Sequence, residues 1–311
     1  MAAGTICLLL LTLWVPMAPD TQGTDDSSFI SVPCGLTTAR NRIKGGKIAA
    51  QGTWPWMGSL QKGDVHVCGV TLLSQSWALT ASHCFHHEFT NPSLWKVQFG
   101  DTLAVLPSWA WGRQLNRYRL QSIISYPLQH EATITDIVLL RLSSNVRFSR
   151  YIYPVCVKNT SAEFINREDC WITGWGMTES GMVPNQGPLV QAQVSVLNES
   201  RCEYLWHKPT YRDLQSQFCA GTEDGSRDSC WGDSGGPLVC EDQGHWVQVG
   251  VVSRGEGCAV PNRPGIYVNV SDYFYWIKQV LDGGPGPTAP GPALLLPLLC
   301  AVASLPLPLW P

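Results

Sequence analysis

Several things are scarce or missing in this chain. Amphipathic helical periodicity is confined to one segment near residue 274, and no internal repeat is visible, so neither a helical bundle nor a solenoid is expected. No basic patch with interleaved aromatics occurs and the net charge is −3, which leaves no nucleic-acid partner to expect. There is no Cys-x-x-Cys pair and no acidic calcium loop, so neither a metal nor a cofactor is expected. What remains is 311 residues of which 44% are hydrophobic, enough for a sizeable core. Short apolar runs such as 139–142 and 247–252 are punctuated by Gly, Pro, Asn and Asp, the texture of an all-β chain.

The most informative segment is Asp228-Ser229-Cys230-Trp231-Gly232-Asp233-Ser234-Gly235-Gly236-Pro237. A serine hydroxyl is a weak nucleophile at neutral pH; it needs a base to take its proton and donors to hold the oxyanion that its attack creates. Gly232 leaves the backbone free to aim its N–H, with that of Ser234, at one point. Taken alone, Gly-x-Ser-x-Gly is equally a Gly-rich turn. Candidate partners are His83, in Leu79-Thr80-Ala81-Ser82-His83-Cys84, and Asp136, which opens the apolar run Asp136-Ile137-Val138-Leu139-Leu140. The order His, Asp, Ser excludes the α/β-hydrolase arrangement, in which acid and histidine follow the serine. Here the sole later histidine is His245, and the one aspartate ahead of it is Asp242, three residues earlier in a turn.

Together with Trp54-Pro55-Trp56, Cys68-Gly69-Val70, Cys170-Trp171-Ile172-Thr173-Gly174-Trp175-Gly176 and Arg263-Pro264-Gly265-Ile266-Tyr267, these motifs make residues 34–281 resemble the trypsin-like serine proteases of the chymotrypsin family. The nearest likeness is to its membrane-anchored, tryptase-like members. The resemblance implies an all-β fold of two packed six-stranded antiparallel β-barrels with a C-terminal helix and a cleft between the barrels. Ser271 is the expected helix cap, with Phe274, Ile277 and Leu281 on one side.

The same resemblance implies the roles of individual residues. His83 acts as general base and then acid, Asp136 orients it, Ser234 is the acylated nucleophile, and the N–H groups of Gly232 and Ser234 form the oxyanion hole. Asp228 lies at the floor of a pocket for an Arg or Lys side chain, with Ser229 and Ser253 beside it and Gly255 and Gly265 as open walls. In Asn41-Arg42-Ile43-Lys44-Gly45-Gly46, a cut after Arg42 frees the Ile43 amine to pair with Asp233. Implied partners are proteins or peptides with Arg or Lys before the cut bond, an activating protease, and serpin or Kunitz-type inhibitors.

Of 12 cysteines, Cys7 and Cys300 fall in terminal hydrophobic segments, leaving ten, an even number suited to five disulfides in an exported protein. The count leaves the pairing open. The resemblance implies Cys34 with Cys156, Cys68 with Cys84, Cys170 with Cys240, Cys202 with Cys219, and Cys230 with Cys258. Sequons at Asn159, Asn198 and Asn269 fit glycosylation.

Residues 1–23 read as a signal peptide, 24–42 as a propeptide, 43–281 as the protease domain, 282–292 as a Pro- and Gly-rich stalk with the anchor-attachment region, and 293–311 as a hydrophobic anchor signal. That layout favours a glycosylphosphatidylinositol (GPI) anchor at the outer face of the cell membrane. The competing readings are a single membrane span and plain secretion; Pro297, Pro306 and Pro308 interrupt a span, and no Lys or Arg follows it.

Four positions depart from the family pattern. Ser253-Arg254-Gly255 has a cation where an aromatic is usual, Trp231 stands where glutamine is frequent, Ser82 replaces a common alanine, and Lys44 replaces a valine. Arg254 and Trp231 open an alternative reading, a catalytically weak or silent binding protein on a protease scaffold.

Overall fold

The computed structural model describes residues 29–30, 33–37, 47–85, 91–110, 112, 115–127, 135–177, 187–206 and 216–283. The signal segment, Cys7, Arg42 and Ile43, Lys44, the adjacent His86 and His87, most of the stalk, the tail and Cys300 lie outside the described residues.

Two short strands come first, β1 (Phe29–Ile30) and β2 (Lys47–Ile48), followed by β3 (Met57–Lys62), β4 (Val65–Leu72), β5 (Trp77–Thr80), β6 (Trp95–Phe99), β7 (Arg117–Ser125) and β8 (Val138–Leu142). Strands β3 to β8 close into an antiparallel barrel in the order β3-β4-β5-β8-β7-β6. Its strands are rich in branched and aromatic side chains, which pack well on a pleated surface. All four residues of β5 are buried, and in β8 only Arg141 reaches solvent.

After β9 (Val157–Lys158) come β10 (Cys170–Gly174), β11 (Val190–Val196), β12 (Gln217–Gly221), β13 (Pro237–Asp242), β14 (His245–Arg254) and β15 (Gly265–Asn269). They run β10-β13-β14-β15-β12-β11, and the β10–β11 ladder, from Cys170↔Val194 to Gly174↔Val190, closes a second six-stranded barrel. Strand β2 adds to the outside of β11. Closure removes the exposed edges that would invite association with other chains. The two barrels of the expected fold are therefore present.

Trp54, Trp171 and Trp246 meet where the barrels abut, with the Trp54 and Trp246 rings 4.9 Å apart and edge-on. Trp54 is buried, and its indole N–H donates to Gln191 Oε1 at 2.9 Å, so the polar handle is satisfied inside the core. Residues 29–30 and 33–37 are fastened to the segment 154–158 and to β14 of the second barrel. Strand β1 pairs with β9, Cys34 bonds Cys156, the Gly35 N–H donates to the Pro154 carbonyl, and the Gly35 carbonyl accepts the Trp246 N–H. All five disulfides form in the expected pairing.

The C-terminal helix spans Phe274–Leu281 and buries Phe274, Trp276, Ile277 and Val280. It packs across Tyr126, whose ring lies 5.3 Å from that of Trp276. Ser271 is not its cap. A 3-10 turn, Val270–Tyr273, precedes the helix, the Phe274 N–H donates to the Ser271 carbonyl, and the Ser271 hydroxyl bonds Asn269 Oδ1. The turn thus takes up the first N–H of the helix without a capping side chain. Among the described residues no helix is long and apolar enough to cross a membrane.

Candidate active site

Asp136 precedes β8 and His83 sits in the 3-10 turn Ser82–Phe85, tied down by the Cys68–Cys84 disulfide. Asp136 is 6% exposed, and four donors converge on its carboxylate. Oδ1 accepts the His83 backbone N–H at 2.9 Å and lies 3.0 Å from Ser82 Oγ. Oδ2 accepts His83 Nδ1–H at 2.8 Å and the Ser253 hydroxyl at 2.5 Å. Burial alone would raise this carboxyl, but the bonds and charge from His83 and the Ser253 hydroxyl outweigh it and hold the group below its ordinary value. Asp136 is therefore a carboxylate that fixes the tautomer of His83, protonated on Nδ1, and turns Nε2 into a base.

Ser234 lies in the turn that the Gly236 N–H closes on the Asp233 carbonyl, and this turn meets the first barrel. Its carbonyl accepts the Gly69 N–H at 2.8 Å, and the Thr80 hydroxyl donates to the Gly69 carbonyl at 2.7 Å. The barrels approach so closely here that a Cβ on Gly69 would stand 2.7 Å from the Gly236 Cα. A Cβ on Gly235 would lie 3.2 Å from the Ala81 nitrogen, so the serine turn abuts the chain two residues before His83. The three residues thus gather at the barrel junction, although among the described residues no hydrogen bond joins the Ser234 hydroxyl to His83.

Gly232 has φ +103°, a conformation that L side chains rarely adopt. Neither its N–H nor that of Ser234 donates to an acceptor among the described residues, which leaves two unused donors beside the Ser234 hydroxyl. The Gly232 carbonyl lies 3.1 Å from His66 Nε2, and His66 Nδ1 lies 2.8 Å from the Ser59 hydroxyl. A carbonyl can only accept, so Nε2 carries the proton and Ser59 donates to Nδ1. Burial, only partly offset by that carbonyl, pushes His66 down to about 4 and keeps it neutral. His66, a residue of β4, thus orients the peptide unit that carries the Gly232 carbonyl. No signal short of the fold links it to a residue 166 positions away.

Asp228 stands against Gly265, where a Cβ would come within 2.8 Å of its Oδ1 and 3.1 Å of the Tyr267 ring. Gly255 faces open space, its nearest neighbour being the Gly257 carbonyl. Burial pushes the Asp228 carboxyl up to about 7, against the pull of N–H groups from Ser229, Ala259 and Gly265. Asp233 shows the same imbalance. Part of the residue is exposed, but its carboxylate is pressed against Gly174 and Gly176 and accepts the N–H groups of Gly176 and Cys230, and desolvation still lifts it to about 6. A cavity of about 590 Å³ reaches both carboxylates and is lined also by Gly174, Gly176, Val190 and Cys258; Gly255 and Gly265 are not among its walls. Two poorly solvated acids beside open space suit cationic partners.

Trp231 and Arg254 adjoin the site along the chain, next to Gly232 and Ser253. The Trp231 indole is 71% exposed and is not folded into the site, and the Arg254 Nη2 donates to Gln217 Oε1 at 2.7 Å. Cys68, His83 and Cys84 gather within ligating distance of one another, but the two sulfurs share a disulfide and offer no thiolate to a metal. Of the sequon asparagines, Asn159 and Asn198 are exposed, whereas Asn269 is half-buried and donates to Asp272 Oδ1 at 3.0 Å.

Known proteins carry the same pattern. The family model described as Trypsin matches residues 43–277. Testisin from Homo sapiens is 41% identical over 312 aligned positions, 98% of each chain. Serine protease 41 from Homo sapiens is 44% identical over 273 positions, 86% of each chain. With two closed β-barrels, a buried carboxylate bonded to a histidine and a serine turn at their junction, the chain belongs to the trypsin family of serine endopeptidases.

Proposed function

We propose that this chain is a trypsin-like endopeptidase, made as a zymogen, that cuts peptide bonds after Arg or Lys through an acyl-enzyme. The observation that carries this reading is the Asp136–His83 hydrogen bond beside a serine turn with two unused amide donors. His83 Nε2 takes the Ser234 proton as the hydroxyl attacks the scissile carbonyl. The oxyanion is held by the N–H groups of Gly232 and Ser234, and His83, now charged against Asp136, passes the proton to the leaving amine. Water then repeats the sequence on the acyl-enzyme and restores Ser234.

Specificity for a basic side chain is supported by Asp228, whose carboxylate is desolvated beside Ser229 and Gly265, and Ser253 and Gly255 are assigned to the same pocket on the family resemblance. Activation is supported by Asp233 and its cavity. A cut after Arg42 creates the Ile43 amine, a cation matched to a carboxyl that burial has left near 6. Pairing there would lock Gly232 and Ser234, the neighbours of Asp233, in their oxyanion geometry. The terminal segments and the exposed sequons Asn159 and Asn198 support export and a lipid anchor on the outer membrane face.

The test is to cut the purified ectodomain after Arg42 and add a fluorophosphonate probe. Labelling of Ser234 after the cut and little before it is expected. No labelling, with Ile43 verified as the new amino terminus and all five disulfides intact, would leave only the binding-protein reading.

A further inference from the structure

Arg254 lies at the end of β14, one residue beyond Ser253, whose hydroxyl bonds Asp136, and one before Gly255, which borders open space. The two edges of β14 differ at this point. Its ladder with β15 continues to Arg254↔Ile266, but its ladder with β13 ends at Pro237↔Val251, after which Val252 binds the Gly235–Gly236 turn behind the nucleophile. Residues 253–255 therefore run past the site on the side where β13 has stopped. An extended peptide can add to a strand at such a place, with alternate side chains read by pockets on either face. If its basic residue reaches Asp228 and its carbonyl meets Ser234, the preceding residues run along 253–255.

The Arg254 side chain is also held in place. Arg254 pairs with Ile266, Ile266 with Cys219, and Gln217 is two residues before Cys219 on β12, so Arg254, Ile266 and Cys219 form one cross-strand row and Gln217 lies one step along the same sheet face. On this face the guanidinium reaches Gln217 Oε1 at 2.7 Å, and Ile266 and Cys219 belong to an apolar cluster with Cys202 and Trp206. The result is an anchored, half-buried cation next in the chain to the serine that bonds Asp136, with a side chain long enough to span about two residues of an extended peptide.

We propose that Arg254 selects substrates with Asp or Glu two to four residues before the cut bond, so that the preferred sequence is acidic and then basic. The proposal rests on the trypsin-like reading above and adds the upstream requirement to it. Asp228 and Arg254 then read opposite charges on one peptide, and a substrate basic throughout would be penalised at the second point.

The test uses the Arg42-cleaved ectodomain, with active enzyme counted by fluorophosphonate titration so that misfolded molecules do not enter. Peptides share one Arg before the cut and carry Glu, Ala or Lys at each of the three preceding positions. Glu should exceed Ala in kcat/KM by about three- to tenfold at one or more positions, with Lys below Ala, and the spread should shrink as salt is raised. Arg254→Lys should keep the order, Arg254→Ala should abolish it, and Arg254→Glu should invert it.

An equal response to Glu, Ala and Lys in the wild type, or a preference for Glu that survives in Arg254→Ala, would overturn the proposal. So would an Arg254→Ala variant faster on all three peptides alike, since the guanidinium would then be obstructing the cleft. Failure to cut any Arg peptide would instead count against the trypsin-like reading.

Discussion

Replacing Asp228 by Asn separates burial of a charge from mere occupancy of a pocket. Burial lifts the Asp228 carboxyl from 3.8 to about 7. At about 1.4 kcal/mol per unit, the ionised form is thereby roughly 4 kcal/mol less favourable in the empty pocket than in water. An arriving guanidinium offsets this by pairing. In Asp228→Asn it would be buried without a counter-charge, and removing one partner of a buried pair costs about 3–5 kcal/mol. The expected loss in kcat/KM on an arginine substrate is roughly two to three and a half orders of magnitude, while a citrulline isostere should lose little.

The same carboxyl should impose a pH dependence on binding that is separable from chemistry. Below about 7 the empty pocket holds a protonated acid, so a cation must displace a proton, and affinity rises with pH. Competitive inhibition by benzamidine reads this directly. Its Ki should fall as pH increases through about 7 in the wild type and stay flat in Asp228→Asn. A flat wild-type profile, or an arginine-to-citrulline ratio that the variant leaves unchanged, would refute the argument that desolvation of Asp228 sets specificity.

Three further outcomes follow from the same geometry. Gly265→Ala puts a methyl group 2.8 Å from Asp228 Oδ1, so cleavage after Arg should drop more than about tenfold, whereas fluorophosphonate labelling, which needs no pocket, should persist. His66 is held down at about 4 in the fold against 6.5 in the unfolded chain, which then binds more protons between those values. Unfolding free energy should therefore decline by about 3 kcal/mol as pH falls through that window, and His66→Gln should flatten the decline in urea titrations. Asp233 has the opposite sign: its raised value means that the folded single chain binds the extra proton, so stability falls as pH rises from 3.8 to about 6, by roughly 3 kcal/mol. In thermal melts of Ser234→Ala protein, cutting after Arg42 should remove that fall; identical pH profiles before and after the cut would contradict pairing of Asp233 with a new amine.

The sequence was enough for the parts of this protein whose chemistry is local or ordered along the chain. The Gly-rich turn around Ser234 offers a candidate nucleophile, and the succession of His83, Asp136 and Ser234 rejects the α/β-hydrolase plan, because that order is a property of the chain itself. The even set of ten cysteines and the punctuated apolar runs carry composition and period, which survive without coordinates. Pairing of the disulfides was legible only through resemblance, since spacing leaves it open.

What depended on distance between remote segments came from the tertiary structure alone. The bond from His66 to the Gly232 carbonyl, the hydroxyls of Ser82 and Ser253 on Asp136, and the turn that displaces Ser271 from its expected cap all depend on which strand edge faces which. So do the raised carboxyls of Asp228 and Asp233 and the direction in which Gln217 holds Arg254. A residue's type sets the chemistry available to it, but its charge state and orientation are set by the solvent it loses and the donors it meets, and those exist only once the two barrels have closed against each other.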